Sequence, residues 1–212
     1  MRGDLKGISP EVIIQKLSQH VTPERWEKIQ KVAQQRLPQM SVVLEDIYDR
    51  GNASAVMRSA EAFGIYKFHM IERQEKFKES NRVTQGAHKW LQIQKWDSTK
   101  KCIEHLRAQK IKIYVTHLDP TARPLHTVPT DEPFALCLGN EKDGATQELI
   151  DLADDTVFIP MRGFVQSFNI SVAAAISFYD LQKRLTPPAQ TDTTLLAHFL
   201  TQSVDHWEKY LL

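Results

Sequence analysis

The chain has 212 residues and a mass of 24.4 kDa, enough for one well-packed core, and its 42% hydrophobic and 25% charged residues exclude a disordered, collagen-like or coiled-coil protein. Twenty-seven basic against twenty-six acidic side chains leave a net charge of +1, so any contact with nucleic acid must come from a local patch rather than from bulk charge. Cys102 and Cys137 both lie in apolar runs, which excludes a disulfide framework and cysteine-ligated zinc and suits a reducing, cytoplasmic setting; no apolar run approaches the about 18 residues of a membrane span, and Met1 to Lys6 offers no apolar leader core.

Ser9-Pro10-Glu11 and Thr22-Pro23-Glu24 each place a capping residue before a proline at the first helical position, so two short helices are expected to open the chain. They carry Lys16, Arg25, Lys28, Lys31 and Arg36 and make residues 1–40 a basic helical extension. From Ser41 the pattern changes. Val42–Leu44, Tyr66–Ile71, Ile111–Val115, Phe134–Leu138 and Val157–Ile159 read as short buried strands. Ala53–Phe63, Ser98–Gln109, Thr146–Ala153 and Asn169–Leu185 have helical spacing and few breakers. This alternation predicts an α/β domain over 41–185, a parallel sheet with helices on both faces. Pro187-Pro188 ends it, and the apolar Leu195, Leu196, Phe199, Val204, Trp207 and Leu211 make 186–212 an amphipathic helix suited to docking on the body or on a partner chain.

In open α/β sheets ligands bind at the carboxyl ends of strands, so the loops after each strand are where chemistry is sought. The first runs from Glu45 to Asn52 and enters a helix bearing Arg58; Asn52 reads as its N-cap. The second, Gly139 to Thr146, resembles a phosphate cradle, but a Walker loop needs lysine where Ala145 stands, and no G-x-G-x-x-G occurs among eight glycines. It reads equally as an ordinary strand-to-helix turn carrying one carboxylate, Glu141. In the third, Ile159 to Asn169, Ser167 and Asn169 are expected to cap a helix rich in small residues. Thr84 to Trp90 sets a glycine, a base and an indole side by side, which suits either base stacking or a turn with a buried tryptophan. The histidines show no metal-ligand spacing and no G-x-S-x-G elbow occurs, so neither a metal site nor a serine hydrolase is expected.

Together the three loops resemble the three ordered motifs of the SpoU/TrmH branch of the SPOUT methyltransferase superfamily: Leu44-Glu45 through Gly51-Asn52-Ala53 to Arg58 and Gly64, then Leu138 to Lys142, then Ile159-Pro160-Met161 to Asn169 and Ala175. The likeness runs from about residue 24 to 185, with Thr84 to Trp90 and Tyr114 to Leu118 also similar to family segments. Arg50-Gly51 stands where relatives commonly have Pro-His, and Phe168 where they commonly have Leu. The resemblance implies a C-terminal deep trefoil knot, a rare exception to the rule against threaded chains. It implies S-adenosylmethionine as cofactor, held at Thr116, His117, Leu138, Gly139, Ile159, Met161 and Phe168. The reaction implied is methyl transfer to a ribose 2′-hydroxyl of RNA, with Arg58 activating the hydroxyl as base or as orienting group. Asn52 would position Arg58 or substrate, Glu141 would fix its loop, and Ser167 with Asn169 would hold the knot loop. A homodimer through the knot region is implied as well. Short flanking helices around a minimal core resemble the layout of the enzymes that modify guanosine 18 of tRNA, with Lys16, Arg25, Lys28, Lys31, Arg36 and Arg162 as phosphate contacts. Ribosomal RNA or a tRNA wobble ribose is the alternative substrate, and a non-catalytic RNA-binding scaffold or a phosphate-binding α/β protein the alternative class.

Overall fold

The computed structural model describes residues 7–73 and 84–211. Residues 1–6 and 212 of the expected terminal extensions lie outside them. The chain divides into two compact units, Leu37–Thr186 and a second made of Met1–Arg36 with Pro187–Leu212.

The larger unit contains β1 (Met40–Glu45), α3 (Arg50–Ala62), β2 (Lys67–Ile71), β3 (Gln92–Trp96), α4 (Thr99–Ala108), β4 (Lys112–Thr116), β5 (Arg123–Pro124), β6 (Phe134–Leu138), α5 (Gln147–Asp151), β7 (Asp155–Phe158) and α6 (Ile170–Gln182). The seven strands form one sheet in the order β3-β2-β1-β6-β4-β7-β5, and every neighbouring pair is parallel. β1 and β6 lie near the centre and are buried along their whole length, because a parallel sheet covered on both faces leaves no strand face for water. In register, Val43 sits between His69 and Cys137. One face packs Val43, Ile113, Val115, Ala135 and Cys137 under Cys102, Ile103 and Leu106 of α4 and Leu149 of α5. Alternate strand residues, Val42, Leu44, Leu136 and Leu138, turn to the other face and are equally buried. α3 and α6 pack on each other, burying Val56, Met57 and Ala60 of the first and Ala174, Phe178 and Leu181 of the second.

Local signals set several boundaries. Asp49, not Asn52, caps α3: its backbone is extended and its carboxylate accepts from Gly51 N at 2.6 Å, which leaves Asn52 inside the first turn with its side chain free for other work. Asn169 alone caps α6, accepting from Ser171 N at 2.8 Å; Ser167 is exposed two residues upstream. Thr84 to Trp90 becomes a turn through left-handed Gln85 and Gly86 into one turn of 3₁₀-helix at Ala87–Trp90, lying against α3 with Trp90 half-buried.

The smaller unit joins α1 (Pro10–Leu17) and α2 (Pro23–Gln34) to α7 (Thr193–Ser203) and α8 (Glu208–Leu211). Ser9 and Thr22 cap α1 and α2 as the sequence predicts, with a proline at the start of each helix. The tail packs on the N-terminal helices, so the two segments read from sequence as separate extensions share one core of Ile13, Leu17, Ile29, Leu195, Phe199 and Leu200. Lys16 Nζ donates to the carbonyl of Leu211 at 3.2 Å and Arg25 to Ser203 Oγ at 3.3 Å. Among the described residues no helix is long and apolar enough to cross a membrane.

Candidate active site

A cavity of about 660 Å³ opens at the carboxyl ends of β4, β6 and β7, closed on one side by the segment 159–169 and the first turns of α6. This is the crevice position expected of a ligand in an open parallel sheet, and the volume suits a drug-sized molecule. Thr116, His117, Leu138, Gly139, Ile159, Met161 and Phe168 all line it, as do Glu141, Ser167 and Asn169. The Thr116 hydroxyl donates to the carbonyl of Cys137 at 3.2 Å, and His117 N to the carbonyl of Val157 at 3.0 Å, which ties the ends of the three strands together.

The loop after β6 is unusually tight. Asn140 N donates to Gly144 O at 3.0 Å and Gly144 N to Asn140 O at 3.1 Å, while Asn140 Oδ1 accepts from Lys142 N and Asp143 N. Gly144 takes the left-handed backbone that this turn needs, with φ +73°. A Cβ on Gly139 would stand 2.0 Å from Ala145 N, so the beginning and end of the loop touch backbone to backbone.

Three motif loops meet through a chain of hydrogen bonds. Glu141 Oε1 accepts from Asn52 Nδ2 at 2.9 Å and from Asp49 N at 3.3 Å, and Oε2 from Tyr48 N at 3.1 Å. Asn52 Oδ1 in turn accepts from Asn169 Nδ2 at 3.1 Å. Asn169 spends its own oxygen on Ser171, so the side chain is fixed at both ends. Arg58 lies on the exposed side of α3, without a hydrogen bond or ion pair among the described residues, and does not line the cavity. Arg162 is exposed on the segment that closes the cavity. Of the N-terminal cations, Lys16, Lys28 and Lys31 are exposed and Arg25 half-buried. Arg36 is only 2% exposed, its guanidinium 5.3 Å from the centre of the Phe199 ring, so it is a core side chain of the smaller unit rather than a surface cation.

Two features escape the sequence reading. Ala173 and Ser177 of α6 form part of the cavity wall, at the i+4 and i+8 positions from Asn169; the run of small residues is the signal, since it leaves room beside a helix. Glu45 is fully buried at the end of β1, accepting from the Thr99 hydroxyl at 2.6 Å and from Thr146 N and Oγ1 at 2.9 and 2.8 Å. An acid closing an apolar strand, at the opening of the first motif, is the local hint of it.

A parallel sheet covered on both faces, with its cavity at the strand ends and its polar groups on the loops that follow, defines an α/β ligand-binding protein of the kind that works at a sheet's carboxyl edge. The model of the SpoU rRNA methylase family matches residues 39–179, and the chain belongs to that family. It is 37% identical over 169 residues to the tRNA (guanosine(18)-2′-O)-methyltransferase of Borreliella burgdorferi, covering 80% of this chain and 78% of the relative. Among solved structures it resembles the TrmH/SpoU tRNA modifying enzyme of A. aeolicus, with a TM-score of 0.77 at 26% identity over 88% of this chain and 95% of that one. The AdoMet-bound rRNA methyltransferase of Sinorhizobium meliloti superimposes with a TM-score of 0.65 at 25% identity, over 73% and 60% of the respective chains.

Proposed function

We infer that this protein transfers a methyl group from S-adenosylmethionine to the 2′-hydroxyl of guanosine 18 in tRNA. The observation that carries this reading is the lining of one cavity by the second and third motif loops, with the first tied to both by the chain from Glu141 to Asn52 to Asn169. The identity to a guanosine-18 enzyme over four-fifths of the chain supports the substrate.

The cavity fits the cofactor. Leu138, Ile159, Met161 and Phe168 supply apolar walls, and the backbone of 138–144 supplies donors and acceptors that need no glycine fingerprint. Bound there, S-adenosylmethionine supplies a methyl group made electrophilic by its sulfonium. The ribose hydroxyl is a poor nucleophile until it is aligned or deprotonated. Arg58 is exposed and unpaired among the described residues, and an arginine guanidinium is cationic across the physiological range. Both facts support a role in pairing with an RNA phosphate and orienting the hydroxyl, rather than in taking its proton. Glu141 holds the backbone of Tyr48 and Asp49 and, through Asn52, the start of the helix that bears Arg58. Asn169 fixes the far side of the same contact, while Ser167 stands on the cavity rim. Lys16, Arg25, Lys28, Lys31 and Arg162 are the proposed phosphate contacts, with a salt-dependent affinity.

The trefoil knot belongs to this reading. β7 is separated from β1 by two strands, β6 and β4, yet the chain leaving it returns past the 138–144 loop to lay α6 on α3. Threading of that return through the loop is the arrangement proposed. A second copy is proposed to cover α6, where Val172, Ile176 and Tyr179 recur at helical spacing at 45%, 37% and 53% exposure. The setting proposed is the cytoplasm, which suits two free, buried cysteines.

Calorimetric titration of the protein with S-adenosylmethionine and, separately, with ATP tests the cofactor assignment. Binding of the first alone is expected; binding of ATP alone would replace the reading with a phosphate-binding protein.

A further inference from the structure

We propose that Glu45 is a positioning residue for the cofactor loop, setting S-adenosylmethionine affinity from beneath the site; the proposal rests on the methyltransferase reading above. The loops 45–52 and 139–146 hold one another reciprocally through two carboxylates. Glu141 of the second loop grips the backbone of the first at Tyr48 and Asp49. Glu45 of the first grips the end of the second, taking both Thr146 N at 2.9 Å and Thr146 Oγ1 at 2.8 Å. Only the Glu141 half reaches the cavity. Glu45 itself is fully buried, beside the Thr99 hydroxyl at 2.6 Å and with Arg73 at 3.8 Å.

Backbone contact carries the effect of Thr146 to the cavity. Gly139 lies against Ala145, so closely that a Cβ would fall 2.0 Å from Ala145 N. A shift of Thr146 therefore moves Ala145 against Gly139, which lines the cavity with Asn140, Glu141 and Gly144. Thr146 is also the N-cap of α5, its hydroxyl accepting from Leu149 N at 3.2 Å, so the same residue ends the loop and starts the helix. Glu45 thus fixes the far end of a loop whose near end continues from β6, leaving the cofactor-facing backbone preformed rather than ordered on binding.

The test compares loss of a hydroxyl donor at the two ends of Glu45; Thr146→Val also loses the cap of α5, whereas the Glu45 variants leave that cap in place. Thr146→Val removes the hydroxyl donor on the cofactor-loop side, and Thr99→Val removes the one on the α4 side. Glu45→Met removes every acceptor. Glu45→Gln is the conservative rescue, because its oxygen can take Thr146 N–H while its amide donates to the two hydroxyls. Affinity for S-adenosylmethionine by calorimetry, KM and kcat for methyl transfer, and Tm are measured for each. Expected are a roughly tenfold rise in Kd and KM for the cofactor in Thr146→Val and a larger one in Glu45→Met, with kcat at saturation within about threefold. Thr99→Val should stay within about twofold despite a loss of Tm of its own, and Glu45→Gln should recover most of the affinity. Equal cofactor affinity in Thr99→Val and Thr146→Val would overturn the proposal, even if Glu45→Met failed to fold. Failure of the unaltered protein to bind S-adenosylmethionine would instead remove the reading beneath it.

Discussion

Replacing Gly139 by alanine tests the cofactor loop with the smallest change available. The new Cβ would lie 2.0 Å from Ala145 N, 2.1 Å from Gly144 C and 2.3 Å from Gly144 O, all of them backbone atoms that no rotamer change can move aside. Real Cβ contacts stay beyond 3.0 Å, so the loop must open by about 1 Å. The Asn140–Gly144 bridge spans that gap with hydrogen bonds of 3.0 and 3.1 Å, and both are forfeited. At about 1 kcal/mol each the loss is about 2 kcal/mol, which corresponds to roughly 30-fold weaker cofactor binding when it falls on the preformed site. Calorimetric titration with S-adenosylmethionine reads the affinity, and a thermal melt on the same sample reads the fold. Wild-type affinity in Gly139→Ala would refute the placement of the cofactor against this loop.

Arg58→Ala should leave stability within about 0.5 kcal/mol, as expected for an exposed side chain without a partner among the described residues, while lowering methyl transfer at least about a hundredfold; single-turnover assays with saturating cofactor decide it, and near-normal turnover removes Arg58 from the mechanism. His69 is neutral in the fold, its pKa lowered from 6.5 to about 4 by burial and by the neighbouring His105 and Lys67. The unfolded chain therefore binds the extra proton, and stability should fall by about 3 kcal/mol as pH drops from about 6.5 to 4; denaturant melts across that window should flatten in His69→Gln, and a parallel slope in both proteins would contradict the assignment. Burial pushes the Cys102 thiol up to about 12 and raises Cys137 well above the ordinary thiol range, so a thiol reagent at pH 8 should label neither in the native protein and both in denaturant. Fast native labelling of either would show that the core is not packed as described.

The parts of the fold written in local pattern were legible in the sequence. Val42–Leu44 and Phe134–Leu138 read as buried strands because a doubly covered parallel sheet needs continuous apolar runs, and they form the central pair. Strand order was not legible, because β6 enters between β1 and β4 by pairing with β1 across about ninety residues, which leaves no local trace. β5 is two residues long and carries Pro124 at the sheet edge, where no periodicity can announce a strand. Asn52 resembles a helix cap by composition, but Asp49 takes that place because its backbone is extended and its carboxylate reaches Gly51 N, freeing Asn52 to bond Glu141. Arg36 follows four other cations in sequence and looks like one of a basic set, yet the partner that buries it, Phe199, comes from the other end of the chain. The cavity residues were legible as motifs; Glu45 was legible as the start of the first motif, but its role was not, since its partners Thr99 and Thr146 lie 54 and 101 residues away.

Transfer of a labelled methyl group from S-adenosylmethionine to unmodified tRNA transcripts, with ribosomal RNA fragments in parallel and the product nucleotide mapped by mass spectrometry, tests the central claim most directly. The account predicts 2′-O-methylguanosine at position 18 and nowhere else; label confined to ribosomal RNA or to a wobble ribose would contradict the substrate, and no label in any RNA from protein that binds the cofactor would contradict the catalysis itself.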